Sequence, residues 1–118
     1  MSNPNMLNAA SITGKQVIPT VNTTATAIVT NSSDSNALYK VSTLTFTNIS
    51  ASTATATVSI SKNGTEIKMA NTLSVPTNTE LVIISKDTAI YLEENDILKV
   101  YASANTALTA ACTYEIIT

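Results

Sequence analysis

Thr53-Ala54-Thr55-Ala56-Thr57-Val58-Ser59-Ile60-Ser61-Lys62-Asn63-Gly64-Thr65 is the stretch that decides the fold of this chain. Ala54, Ala56, Val58 and Ile60 alternate with Thr53, Thr55, Thr57, Ser59 and Ser61. An extended strand therefore turns one apolar face to a core and lines the other with hydroxyls. The strand runs into Asn63-Gly64, and a two-residue type I′ turn needs positive φ at both central positions, which this dipeptide accepts. A hairpin is predicted, its return strand starting near Glu66 with Ile67 and Met69 inward.

Downstream, Val75-Pro76-Thr77-Asn78 predicts a turn into Leu81-Val82-Ile83-Ile84. So continuous an apolar run is expected of a central or interface strand, either buried on both sides or lying under a neighbour. Leu92-Glu93-Glu94-Asn95-Asp96 predicts a second, solvated reversal. Two strands follow, Ile97 to Ala104 and Ala107 to Ile117, joined at Ala104-Asn105-Thr106. Leu98, Val100 and Ala102 share one face, and Leu108, Ala110, Cys112, Tyr114 and Ile116 share a matching one.

Upstream, Tyr39 to Ile49 carries Val41, Leu44 and Phe46, whose spacing breaks alternation and predicts a bulge near Ser42-Thr43. Strands at Gln16 to Pro19 and Thr24 to Thr30 bring the total to about eight, with no helical period anywhere. The expected fold is all-β, an antiparallel β-sandwich of jelly-roll or immunoglobulin-like type. Residues 14–118 form its single domain. Residues 1–13, rich in Asn, Ser and Ala, form an extended N-terminal arm able to dock on a neighbour.

Composition bounds the chemistry. The 118 residues hold no His, no Trp and one Cys, and only 12% are charged. Little is left for acid–base, nucleophilic or metal catalysis, so no enzyme activity, cofactor or metal is expected. The hydrophobic fraction of 44% suffices for one core without staples. That core is thin, because Ala, Val and Ile dominate and Phe46 is the one Phe. The six Lys are scattered, Arg is absent and the net charge is −2, so nucleic acid has no electrostatic footprint to bind. No apolar run approaches the roughly 20 residues of a membrane helix, and the N-terminus lacks the features of a secretory signal. No membrane partner and synthesis in a cytoplasm are expected.

Three groups invite a chemical reading. Glu93, Glu94 and Asp96 offer oxygens for calcium but lack the further spaced ligands of a loop site. Ser85-Lys86-Asp87 has no base, and neighbouring strand residues point to opposite faces. Tyr39, Tyr91, Tyr101 and Tyr114 suit core margins or subunit contacts better than a sugar platform. Cys112, between small apolar residues, reads as a buried, inert thiol. With two Gly and three Pro, the turns depend on Asn and Asp. Thr keeps strand propensity while letting a sheet face water without charge. So few charges suit a surface that partners occupy, since charge is what keeps strand edges apart.

The order Tyr39-x-Val41, Leu44-x-Phe46-x-Asn48, Asn63-Gly64, Val75-Pro76, Ile90-x-Leu92, Asn95-Asp96-x-Leu98-Lys99-Val100-x-Ala102-Ser103-Ala104-Asn105 and Tyr114-Glu115-Ile116 resembles small β-sandwich virion proteins of tailed bacteriophages. The resemblance spans residues 38–118. Such proteins often carry Gly where this chain has Asn78 and Asn95. It implies a virion structural protein made in the cytoplasm of a bacterial host, a capsid decoration or cement protein. It would assemble as a homo-oligomer, for example a trimer, on major capsid or other virion proteins. The alternative it implies is a tail, fibre or neck module that holds a host glycan. Expected partner contacts are Pro4, Met6 and Leu7 of the arm and Leu81, Val82, Ile83 and Ile84.

Overall fold

A computed structural model describes Pro4 and residues 6–118. Among them are ten strands: β1 (Ile12–Val17), β2 (Thr20–Val21), β3 (Thr26–Thr30), β4 (Leu38–Asn48), β5 (Ala54–Lys62), β6 (Thr65–Val75), β7 (Thr79–Ile84), β8 (Ile90–Leu92), β9 (Ile97–Ala102) and β10 (Leu108–Ile117). All pairings are antiparallel. Sheet A has the order β1-β10-β4-β7, with β2 also on β10 and β8 also on β4; sheet B has the order β3-β9-β5-β6. β1 and β2 dock on successive parts of β10, and β7 and β8 on successive parts of β4, so ten strands fill eight places. Between places the chain crosses to the other sheet every time except at the β5–β6 hairpin. An immunoglobulin-like sandwich keeps several hairpins within a sheet, so this connectivity is the jelly roll.

The turns confirm the role expected of Asn and Asp. Asp34, Asn36, Asn63, Asn78 and Asn95 all have positive φ, as does Gly64. Asn78 and Asn95, at φ 56° and 73°, thus stand in the conformation glycine favours. The bulge is also where the spacing put it: Thr113 pairs with Thr43 and Tyr114 with Val41, leaving Ser42 unpaired. This brings Val41 and Leu44, three residues apart, onto one core face.

Phe46 and Leu44 of β4, Ile84 of β7, Leu92 of β8, Leu98 of β9 and Leu108 of β10 are fully buried, with Val and Ala from both sheets between them. Burying a side chain of that size contributes about 1.5–3 kcal/mol. β9 and β10 lie in opposite sheets, so their apolar faces meet across the core rather than side by side. β1 begins at Ile12, and backbone bonds join Ala10 and Ser11 to Thr118, so ordered structure starts before residue 14. Of the expected arm, Met1, Ser2, Asn3 and Asn5 lie outside the described residues.

Two buried asparagines fasten the loops at opposite ends of β4. Asn48 donates to the carbonyls of Ser52 (2.9 Å) and Val75 (2.8 Å) and accepts from the Ser50 amide and hydroxyl. Asn31 donates to the carbonyls of Ala37 (3.0 Å) and Leu92 (2.8 Å) and accepts from the Ser35 hydroxyl. A buried amide satisfied in this way fixes loop geometry that a thin core cannot.

Four expectations need correction. β7 is an edge strand: Leu81 pairs with Phe46, Val82 with Thr45 and Ile84 with Leu44. The register slip at Ile83 sends both Leu81 and Ile84 inward and leaves Val82 55% exposed, so the run records a bulge rather than double burial. Ile67 and Met69 are largely exposed, because β6 is an edge strand and Met69 sits in a bulge. The 92–96 turn is not solvated throughout, since Glu94 and Asp96 are 2% and 4% exposed. Finally, Thr57 and Ser59 on the outer face of β5 are buried, beneath partners from β6.

Candidate assembly surface

Two sheets have four edges, and an edge strand presents unpaired amides and carbonyls that another chain can use. Three of the edges are guarded. β3 is short and slips register at Ile28. β7 slips at Ile83 and is interrupted before β8 by the 3-10 turn Lys86–Thr88. β1 is regular, but Lys15 pairs with Tyr114, whose side chain packs on the core, so a lysine points inward at that edge. The fourth edge, β6, is exposed along nearly its whole length and carries Ile67, Met69 and Leu73. Bulges bend it beyond Lys68, but Thr65 to Lys68 pair with β5 without a slip.

The middle of the outer face of sheet A is dominated by threonine hydroxyls, with Lys40, Glu80 and Glu115 toward its margins. Thr43, Thr45 and Thr47 of β4 stand opposite Thr113, Ala111 and Thr109 of β10, with the Thr43 and Thr113 hydroxyls 2.6 Å apart. Gly14, lacking a side chain beside Glu115, leaves an open recess of about 400 Å³ bordered also by Gln16, Ser42 and Thr113.

The residues singled out from the sequence do not gather in one place. Pro4 is half-buried, Met6 is exposed and Leu7 is 95% exposed in a short 3-10 turn that precedes β1. Of Leu81 to Ile84, Val82 alone offers a large exposed apolar side chain, and Ile84 belongs to the core. Ile12, Ile18 and Ile49 add exposed apolar surface that the sequence reading passed over, because each lies at a strand end without a sustained period.

The tyrosines serve three different surfaces. Tyr39 and Tyr114 stack on each other, centroids 5.8 Å apart at 10°, and pack on the core. Burial pushes the Tyr114 phenol up from its ordinary range, with Tyr39 and Cys112 adding to the effect. Tyr91 is on the outer face of sheet A beside Lys40, and Tyr101 on that of sheet B beside Thr57. The acidic turn is tied internally. Lys62 reaches Asp96 at 3.2 Å and Glu93 at 3.5 Å, and Asp96 also accepts the Glu93 amide. The hydrogen bond that Lys62 donates to the Asp96 carboxylate holds its ammonium above the ordinary range. Glu94 accepts the Asn36 amide through Oε2, while Oε1 is buried without a partner among the described residues. Among the described residues no three His, Cys, Asp or Glu side chains are placed to hold a metal ion. Ser85 is bonded to Thr88 in the 3-10 turn, away from Lys86 and Asp87 chemistry. Cys112 is buried in the core, and desolvation pushes its thiol up to about 11. No helix among the described residues is long and apolar enough to cross a membrane.

No protein-family model matches the chain, and no curated protein matches it. Among solved structures it is similar to a protein described under "Bacillus endospore appendages form a novel family of disulfide-linked pili", with a TM-score of 0.53 and 17% identity over 92% of this chain and 88% of that one. At that identity the likeness is one of fold, and it supports the two-sheet sandwich read from the strand order.

Proposed function

We propose that this chain is a non-enzymatic structural subunit of a virion: a capsid decoration or cement protein that sits on a tailed-phage head as a homo-oligomer and bridges capsid proteins. The observation that carries this reading is the surface. The middle of the outer face of sheet A is threonine and alanine, with Lys40, Glu80 and Glu115 toward its margins, and the exposed apolar side chains lie on edge strands, at strand ends and at the arm, where neighbours meet. The resemblance of the motif order to phage virion proteins suggests the setting, and the fold likeness to a protein described with endospore-appendage pili agrees with a subunit of a protein assembly. Each copy would add a modest apolar contact, and many copies acting together would hold the shell by mass action. Disulfides are not the joint here, because the one cysteine is enclosed in the core. A second reading, a tail or fibre module holding a host glycan, has the open recess over Gly14 in its favour.

Sedimentation of purified protein with tailed-phage heads that lack it, alongside a glycan array, separates the two. Cement predicts saturable co-sedimentation and no sugar binding. Glycan binding without attachment to heads overturns the cement reading.

A further inference from the structure

Resting on the reading of the chain as an assembly subunit, we propose that β6 is the seam between two copies: Glu66–Lys68 pairs antiparallel with itself across a two-fold axis at Ile67. The hairpin sets the phase. Lys62 and Thr65 flank a two-residue turn and form a hydrogen-bonded pair, so Thr65 and Ile67 aim their amides and carbonyls at β5. Glu66 and Lys68 therefore aim theirs outward, at the free edge.

Charge selects the register. A two-fold perpendicular to the sheet keeps faces matched, so the axis must fall on a residue. At Ile67 it sets Glu66 opposite Lys68 of the second copy, twice, in the hydrogen-bonded pairs, for about four backbone bonds. One residue earlier it sets Glu66 against Glu66, and one later Lys68 against Lys68. The side chains are ready for the first arrangement. Glu66 is held on the outer face by the Ser59 hydroxyl, 2.6 Å from its Oε1, and Lys68 has no ion pair among the described residues.

The core-facing side fits equally. Leu98, Ile60 and Ile67 form one cross-strand row, from fully buried Leu98 through half-buried Ile60 to Ile67 at 53% exposure. A second Ile67 on the axis completes the row, and the bulge at Met69 ends the seam.

The test is sedimentation of Glu66→Lys and Lys68→Glu, each alone and mixed, at low ionic strength. Alone, each variant meets only like charges at the seam and self-associates about tenfold more weakly than the native chain or worse. Mixed in equal amounts they form a dimer in which every charge is matched, which a folding defect could not produce. A native chain that stays monomeric, variants that associate as well as the native chain, or a mixture no heavier than its parts overturns the seam. Head binding, measured on the same samples, reports on the cement reading separately.

Discussion

Replacing Asn48 with Ala should be among the most damaging single changes that leave the apolar core untouched. The Asn48 side chain makes four hydrogen bonds, to the Ser52 and Val75 carbonyls and from the Ser50 amide and hydroxyl. Each contributes about 1 kcal/mol net. Ser50 and Ser52 lie near the surface and can turn to water, but the Val75 carbonyl, on a residue with no exposed surface, cannot. The expected loss is about 3 kcal/mol, a large share of the stability of a domain this size. At about 4 °C per kcal/mol, Tm should fall by about 12 °C. Asn48→Asp keeps the shape but aims a carboxylate oxygen at two carbonyls, and should cost at least as much at neutral pH. Urea and thermal melts read both. A loss below about 1 kcal/mol for Asn48→Ala would show that the loops at that end are held by something else.

Further outcomes follow from single residues. Gly64→Val should cost about 1–2 kcal/mol, because φ there is +83° and a Cβ would meet nothing, so backbone strain is the whole effect. Gly14→Val, with equal space and no positive φ, should be neutral or stabilising, and an equal loss at both would refute the turn assignment. The Cys112 thiol should ignore thiol reagents at pH 8 until the protein unfolds. Its value of about 11 lies above the ordinary 9.0, so the unfolded chain ionises first. The contribution of this thiol to stability should therefore be constant below pH 9 and fall between 9 and 11, so that stability drops more steeply there in the native chain than in Cys112→Ala. Equal slopes would show that the thiol is not desolvated.

What could be read from the sequence was local. Alternation from Thr53 to Ser61, the Asn63-Gly64 turn and the bulge at Ser42 each depend on neighbours in the chain, and each stands in the structure. Sheet order could not be read, because a jelly roll pairs residues as distant as Ile12 and Ile117. Leu81 to Ile84 misled for a physical reason: a bulge sends residues three apart inward and imitates burial on both sides. Glu94 and Asp96 misled because carboxylates read as solvated, and what buries them comes from Asn36, from Lys62 and from the turn itself. The candidate surface suffered most. An edge can be recognised only when its neighbours are known, so the motif Glu66-Ile67-Lys68 looked like one more strand start.

The most direct test of the account is the mass of the purified protein by light scattering across a wide concentration range. An assembly subunit should rise from 12.4 kDa to a defined multiple as concentration increases. A mass that stays at the single-chain value at every concentration would contradict a surface built to be covered by other copies.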